Sequence, residues 1–179
     1  SKLVDNTNSV RIAMTEAYKD ESTYPVRVSV KGVTKTNITT SSNKSQIVGL
    51  VKMGKIDASE AFNGFSNDAF EIGAGIVSKN GTTSSIAKGF YIAVNGLEQE
   101  DCRNLISQIG SQWDYVATVS GAVGADTGAA DTVDMTVDPG LSSGILKTLK
   151  ADQLTPANIV DAGVCKLVGP QNAVVLGSR

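Results

Sequence analysis

Larger and smaller residues alternate from Gly89 to Val94, with Phe90, Ile92 and Val94 on one side and Tyr91 and Ala93 on the other. That period predicts a half-buried strand ended by Asn95-Gly96. From Glu98 the period lengthens. Cys102, Leu105, Ile106 and Ile109 recur at the spacing of one helix face, and Glu98, Glu100 and Asp101 fill the first turn, where acids complement the positive end of the helix dipole. Gly110 is placed to close the helix in a left-handed conformation, and residues 114–118 resume an extended pattern. The unit over residues 88–118 therefore sets Cys102 on the buried face of a helix between two strands.

Before it, Leu3, Val10, Ala13, Met14, Ala17 and Tyr18 make a helical stripe, diluted by the poor helix formers of residues 5–9 and ended by Tyr24-Pro25. Two readings stay open: an ordinary N-terminal amphipathic helix, or the tail of a longer helix that begins upstream of Ser1. Residues 26–30 (VRVSV) alternate and read as a short strand or an extended segment along the helix. Thr, Ser and Asn crowd residues 31–45, which predicts a surface connection. Ile47, Val48, Leu50 and Val51 then fit a short helix with Ser45 as N-cap and Gly54 as stop, followed by a capped turn at 57–62.

Residues 69–78 read as a strand weakened by Gly73 and Gly75, and Asn80-Gly81 turns it toward the next strand through a loop at 81–87. The glycine-rich stretch 120–130 predicts an irregular loop, and 132–137 an alternating strand stopped by Pro139-Gly140. Ser142 with Ile145, Leu146 and Leu149 predicts a capped helix at 142–149. Thr155-Pro156 predicts another, leading to Ile159, Val160 and Cys165. The apolar run 173–176 suits a strand near the middle of a sheet. With no internal repeat and no linker, residues 1–179 read as one domain: helix to 24, connection over 25–68, sheet over 69–179.

A chain of 179 residues, 41% of them hydrophobic, buries roughly 70% of its unfolded surface, enough for one core without a cofactor. Its 16 basic and 18 acidic residues form no basic run, so nucleic acid is not an expected partner. Histidine is absent, which removes Ser-His-Asp and Cys-His catalysis and His-ligated zinc. No run approaches the roughly 18 apolar residues of a membrane span, and no signal peptide is visible. The start at Ser1 without Met leads to the expectation of an upstream segment removed by processing or by deliberate truncation. Two cysteines are too few for a thiolate zinc site and leave a disulfide, a reactive thiol or two inert thiols. A bridge across their separation of 63 would contribute about 4 kcal/mol and imply an oxidising compartment.

Other motifs carry weaker chemistry. Asp126-Thr127-Gly128 is the tripeptide of aspartic proteases, but that mechanism needs a second carboxylate and one copy is present; a polar loop is the plainer reading. The glycines at 73, 75, 121, 124 and 128 do not make a phosphate cradle. Asn37-Ile38-Thr39, Asn43-Lys44-Ser45 and Asn80-Gly81-Thr82 fit the glycan-acceptor triplet, as polar loops do by chance. Trp113, beside Asp114 and Tyr115, could stack on a sugar or pack over the edge of the core.

In order and spacing the chain resembles the type IVb pilins. The residues are Tyr24-Pro25 after a helix, Ile47-Val48-Gly49-Leu50-Val51-Lys52-Met53-Gly54-Lys55-Ile56, Glu60-Ala61, the strand at 90–96 running into Leu97-Glu98-Gln99-Glu100-Asp101-Cys102, and a second cysteine in a late helix after Leu154-Thr155-Pro156-Ala157-Asn158-Ile159. The stretch 121–139 stands outside the resemblance.

The resemblance implies an α+β fold: an N-terminal helix packed on an antiparallel sheet, the strand at 173–176 central, and a C-terminal subdomain bounded by a Cys102–Cys165 disulfide. It implies a structural subunit rather than an enzyme, with no cofactor, that polymerises with its own copies into a helical surface fibre for adhesion, bacterial aggregation or mating contact, with a host-cell receptor as a further partner. The leader, the methylated first residue, the membrane-spanning half-helix and the family's filament-register glutamate would lie upstream of Ser1, leaving a periplasmic head that ends in an extracellular fibre. The alternatives are a minor pilin or secretion pseudopilin of the same fold, and a secreted glycan-binding domain using Trp113 and Tyr115.

Overall fold

The apolar run at 173–176 does lie in the middle of the main sheet. The computed structural model describes residues 1–81 and 84–179. Along the chain come α1 (Lys2–Ala17), α2 (Gln46–Lys52), β1 (Glu71–Ile76), β2 (Ser78–Asn80), β3 (Ser84–Ile86), β4 (Gly89–Leu97), α3 (Gln99–Ile109), β5 (Tyr115–Ser120), β6 (Thr132–Asp134), β7 (Ile145–Lys147), α4 (Pro156–Ile159) and β8 (Asn172–Ser178). The sheet order is β6-β1-β4-β8-β5-β7, antiparallel except that the edge strand β6 runs parallel to β1. The α+β class, with an N-terminal helix on the sheet and a disulfide in the C-terminal half, is the predicted one.

One face of the sheet, through Phe90, Ile92, Val94, Val116, Val174 and Leu176, packs against α1, α2 and α3. Val10, Ala13 and Met14 are the buried apolar residues of α1. Each large side chain so buried contributes about 1.5–3 kcal/mol. Thr7 is also buried, and its hydroxyl donates to Val4 O at 2.9 Å, which is how this diluted turn keeps its polar group satisfied inside. α1 stops at Ala17, earlier than Tyr24-Pro25 predicts. The chain curls back so that the Tyr24 ring packs between Tyr18 and Phe90, at centroid distances of 5.6 and 5.0 Å.

The other face of the sheet is covered too. Tyr91, Ala93, Tyr115, Ala117 and Val175 pack under Ala129, Val133 and Met135. All nine residues of β4 are buried, so the half-buried expectation is corrected: alternation by size is present, but both sides are interior. Asn95-Gly96 does not end the strand. Gly96 takes a φ of 72° at a register shift between Val94 and Leu97, and its N–H donates to Gly121 O at 2.7 Å.

Several boundaries move for identifiable reasons. Gly110 is right-handed (φ −56°), and the helix tightens into a 3-10 turn at Gly110–Gln112; a Cβ there would come 3.1 Å from Leu154. The predicted helix at 142–149 is instead a 3-10 turn, Leu141–Ser143, then left-handed Gly144 (φ 73°) and strand β7. Residues 132–137 shorten to β6 because Asp134 Oδ1 accepts from Thr136 N and Oγ1, closing a turn. In α4, Thr155 caps Asn158 N as predicted, but the helix is one turn long and Cys165 lies beyond it, in a loop, at φ 52°. Ser45 holds the N-cap position of α2 without a side-chain cap bond, and Gly54 (φ 71°) ends that helix.

The β1–β4 hairpin forms, and its connection folds into a second ribbon, β2 with β3. Asn37 Nδ2 donates to Gly32 O and Asn43 Nδ2 to Ser29 O, so two of the three triplet asparagines brace loops. Thr82 of the third triplet lies outside the described residues.

Candidate functional site

The C-terminal half is sutured to α3. Cys102 on that helix and Cys165 in the loop after α4 are joined at an S–S distance of 2.04 Å, and both are fully buried. Arg103 Nη2 donates to Val164 O at 3.1 Å and Gln99 Nε2 to Lys166 O at 3.3 Å. Beyond the bridge, Asn172 at the start of β8 donates from Nδ2 to Leu167 O (2.8 Å) and Leu97 O (3.1 Å), and accepts from Leu167 N. This loop exposes Val168 (79%), and Val160 stands exposed at the end of α4 (63%).

A second polar system fastens the glycine-rich stretch onto the sheet. Glu71, 4% exposed on β1, accepts from Arg27 Nη1 at 3.0 Å, Thr127 N at 3.1 Å and Thr127 Oγ1 at 2.5 Å. Arg27 also donates to Asp131 Oδ1 and to Thr127 O. Asp68 Oδ2 accepts from Asn95 Nδ2 and from Gly124 N. Tyr91, whose hydroxyl donates to Ala130 O at 2.8 Å, has its pKa raised by burial and then by the charge of Glu71. Asp126 faces Ser29, accepting from its hydroxyl at 2.6 Å, so in Asp126-Thr127-Gly128 two polar side chains serve as loop fasteners.

This system sets the orientation of residues 26–30. The segment is extended, but Arg27 and Ser29 point inward to these acids while Val26 and Val28 face solvent. Charge pairing overrides the apolar preference of the valines. Sequence reasoning missed the network, although one signal was present: Arg27 sits inside a valine run and Glu71 inside an apolar strand, and a charge so placed needs a partner. The adjoining cleft, between residues 30–33 and 124–127, is about 40 Å³, far below the roughly 300–1,000 Å³ of a ligand pocket.

Trp113 and Tyr115 do not form a sugar platform. Both are buried, at 1% and 5% exposure. The Arg11 guanidinium lies 4.2 Å from the Trp113 ring centroid and donates to Gln112 O and Ser178 Oγ, which closes the indole face between α1 and the sheet. Burial, and then the charge of Asp134, pushes the Tyr115 hydroxyl up to about 12. A ligand cannot reach either ring without opening the core, and the glycan-binding alternative falls with them.

The remaining candidates are surfaces. Ile12 on α1, Met53 after α2, Phe65 and Val123 are exposed apolar side chains, as are Val160 and Val168. A cleft of about 170 Å³ beside the start of α1 is lined by Leu3, Phe62 and Phe65 with Lys2 and Lys35 at its edge. Among the described residues no cluster of Cys, Asp and Glu could hold a metal ion, and no helix is long and apolar enough to cross a membrane. Such a surface offers packing and charge pairing.

Known proteins share this architecture. Residues 49–173 match the family described as TcpA: Toxin-coregulated pilus subunit TcpA, a span that includes the stretch 121–139. The Toxin coregulated pilin of Vibrio cholerae serotype O1 (strain ATCC 39315 / El Tor Inaba N16961) is 31% identical over 149 residues, covering 83% of this chain and 60% of the relative. A second Toxin coregulated pilin of Vibrio cholerae is 28% identical over the same shares of both chains. The chain thus spans about 60% of the length of these relatives. The crystal structure of TcpA, a type IV pilin from the Vibrio cholerae El Tor biotype, matches with a TM-score of 0.68 at 26% identity, over 99% of this chain and 97% of that one.

Proposed function

Since this chain belongs to the toxin-coregulated pilus subunit TcpA family, we propose that residues 1–179 act as one unit, the head of a type IVb pilin that packs with its own copies into a helical surface fibre. Its precursor is held in the inner membrane by a segment N-terminal to this head, with the head in the periplasm. The fibre is extracellular and serves adhesion, aggregation or mating contact. The role is structural, not enzymatic.

One observation carries the reading beyond the family. Both thiols are joined in a bridge and Arg27, Glu71 and Asp126 fasten loops, while apolar side chains are exposed on separate elements. Met53 lies by the helix α2 side, and Val160 and Val168 by the clamped loop. Two different patches on one subunit are what a head-to-tail, open-ended assembly needs.

The test is expression of the complete gene in an assembly-competent host and electron microscopy of surface fibres. Met53→Glu and the pair Val160→Glu, Val168→Glu should each abolish fibres while the isolated head keeps its circular dichroism and unfolding midpoint. Abundant fibres from both variants would overturn the proposal. A minor pilin or secretion pseudopilin is the rival of the same fold; a head that makes up only a trace of isolated fibres would favour it.

A further inference from the structure

The sequence has three Asn-Gly pairs, at 63–64, 80–81 and 95–96, and the structure treats them very differently. Asn63 is 1% exposed, with Nδ2 donating to Asn95 O and Oδ1 accepting from Phe65 N. Asn95 is also buried: its Nδ2 donates to Asp68 and Ala122 O, its Oδ1 accepts from Asn63 Nδ2 and Ser66 Oγ, and the following N–H, that of Gly96, is bound to Gly121 O. Asn80 is the last residue of β2, exposed, followed by left-handed Gly81 (φ 70°) at the turn of the polar ribbon. Among the described residues its carboxamide has no hydrogen-bond partner.

We infer that Asn80 is a self-modification site, where the side-chain amide is converted spontaneously to a carboxylate while the other two pairs are protected by the fold. The backbone nitrogen of Gly81 attacks Cγ of Asn80, ammonia leaves, and a cyclic imide forms. Water then opens the imide at either carbonyl, giving aspartate or isoaspartate, so the net change is one water consumed and one ammonia released. Glycine favours the step because no Cβ hinders the attacking nitrogen. At Asn63 and Asn95 the carboxamides are held by buried hydrogen bonds, and at Asn95 the nucleophile is also engaged.

The product has structural consequences. A new carboxylate appears beside Lys79, whose Nζ pairs with Asp134 Oδ2 at 2.5 Å and pins the ribbon to β6. The isoaspartate form also lengthens the main chain by one carbon, which breaks the Asn80↔Ser84 register of β2 and β3.

The experiment incubates the folded protein in mildly alkaline bicarbonate, with a parallel sample in urea, and follows the three amides by peptide mapping and by methyl transfer from an isoaspartyl methyltransferase. In the folded sample, loss of amide and isoaspartate signal should be confined to Asn80 and vanish in Asn80→Gln, whereas in urea all three pairs should convert. Retention of the Asn80 amide while the urea sample reacts, or conversion of Asn63 or Asn95 as fast as Asn80 in the folded sample, would overturn the inference.

Discussion

Arg27 Nη1 lies 3.0 Å from Glu71 Oε1, and this pair ties the extended segment ahead of α2 to a strand inside the sheet. Glu71 is 4% exposed, and its two oxygens also hold Thr127. The contact therefore fixes both the segment at 26–30 and the cover over the second sheet face.

Removing one partner leaves a buried charge without its counterion. Arg27→Ala should destabilise the head by about 3 kcal/mol, and the double variant Arg27→Met, Glu71→Gln by less, because no lone charge remains and the amide oxygen can still accept from Thr127. Urea unfolding midpoints check both. Equal losses in the single and double variants would show that the stranded Glu71 charge is not the source of the loss.

Trp113→Ala should cost about 3–5 kcal/mol, as truncation of a fully buried aromatic does. Arg11→Ala should cost about 1–2 kcal/mol through loss of its stacking and of hydrogen bonds to Gln112 O and Ser178 Oγ. Tryptophan emission should be blue in the native head and shift red only on unfolding.

Without reductant, the Cys102 and Cys165 peptides should run as one linked species in mass spectrometry, and alkylating agents should label neither cysteine in the native head. Cys102→Ser with Cys165→Ser should lower stability by about 2–5 kcal/mol. Labelling of both thiols in the native protein would contradict the bridge.

Alkaline pH should weaken the head through Tyr115. Its folded value is about 12, against roughly 10 for an exposed tyrosine. A raised folded pKa means that the contribution is fully present below roughly pH 10 and is lost as pH rises toward about 12, because the unfolded chain ionises first. Tyr91 is shifted in the same direction by burial. Tyr115→Phe should flatten the fall of the unfolding midpoint over that interval; an unchanged slope would remove Tyr115 as its source.

The periodic elements were legible in the sequence. Cys102, Leu105, Ile106 and Ile109 fall on the buried face of α3 as their spacing predicts, and the 173–176 run is central because no polar residue interrupts it. Non-periodic relationships were not legible. Ile145, Leu146 and Leu149 fit a helix face or a short strand equally well, and the left-handed backbone of Gly144 decides for the strand. Ala129 belongs to the glycine-rich loop, and the alternation of Val133 and Met135 does not say which surface they cover, so neither that cover over the second sheet face nor the full burial of β4 could be read from spacing. The acceptors of Arg27 lie far from it along the chain, and local pattern carries no distance of that kind.

Anchoring Cys165 to Cys102 also sets how the head responds to tension. The 63 residue steps between the two sulfurs hold about 210 Å of extensible chain at full stretch. With the bond intact, a load entering through α3 and leaving through β8 crosses the S–S bond and bypasses β5, β6 and β7. That length stays out of reach of the load, so the head yields by peeling at its ends rather than by paying out its middle.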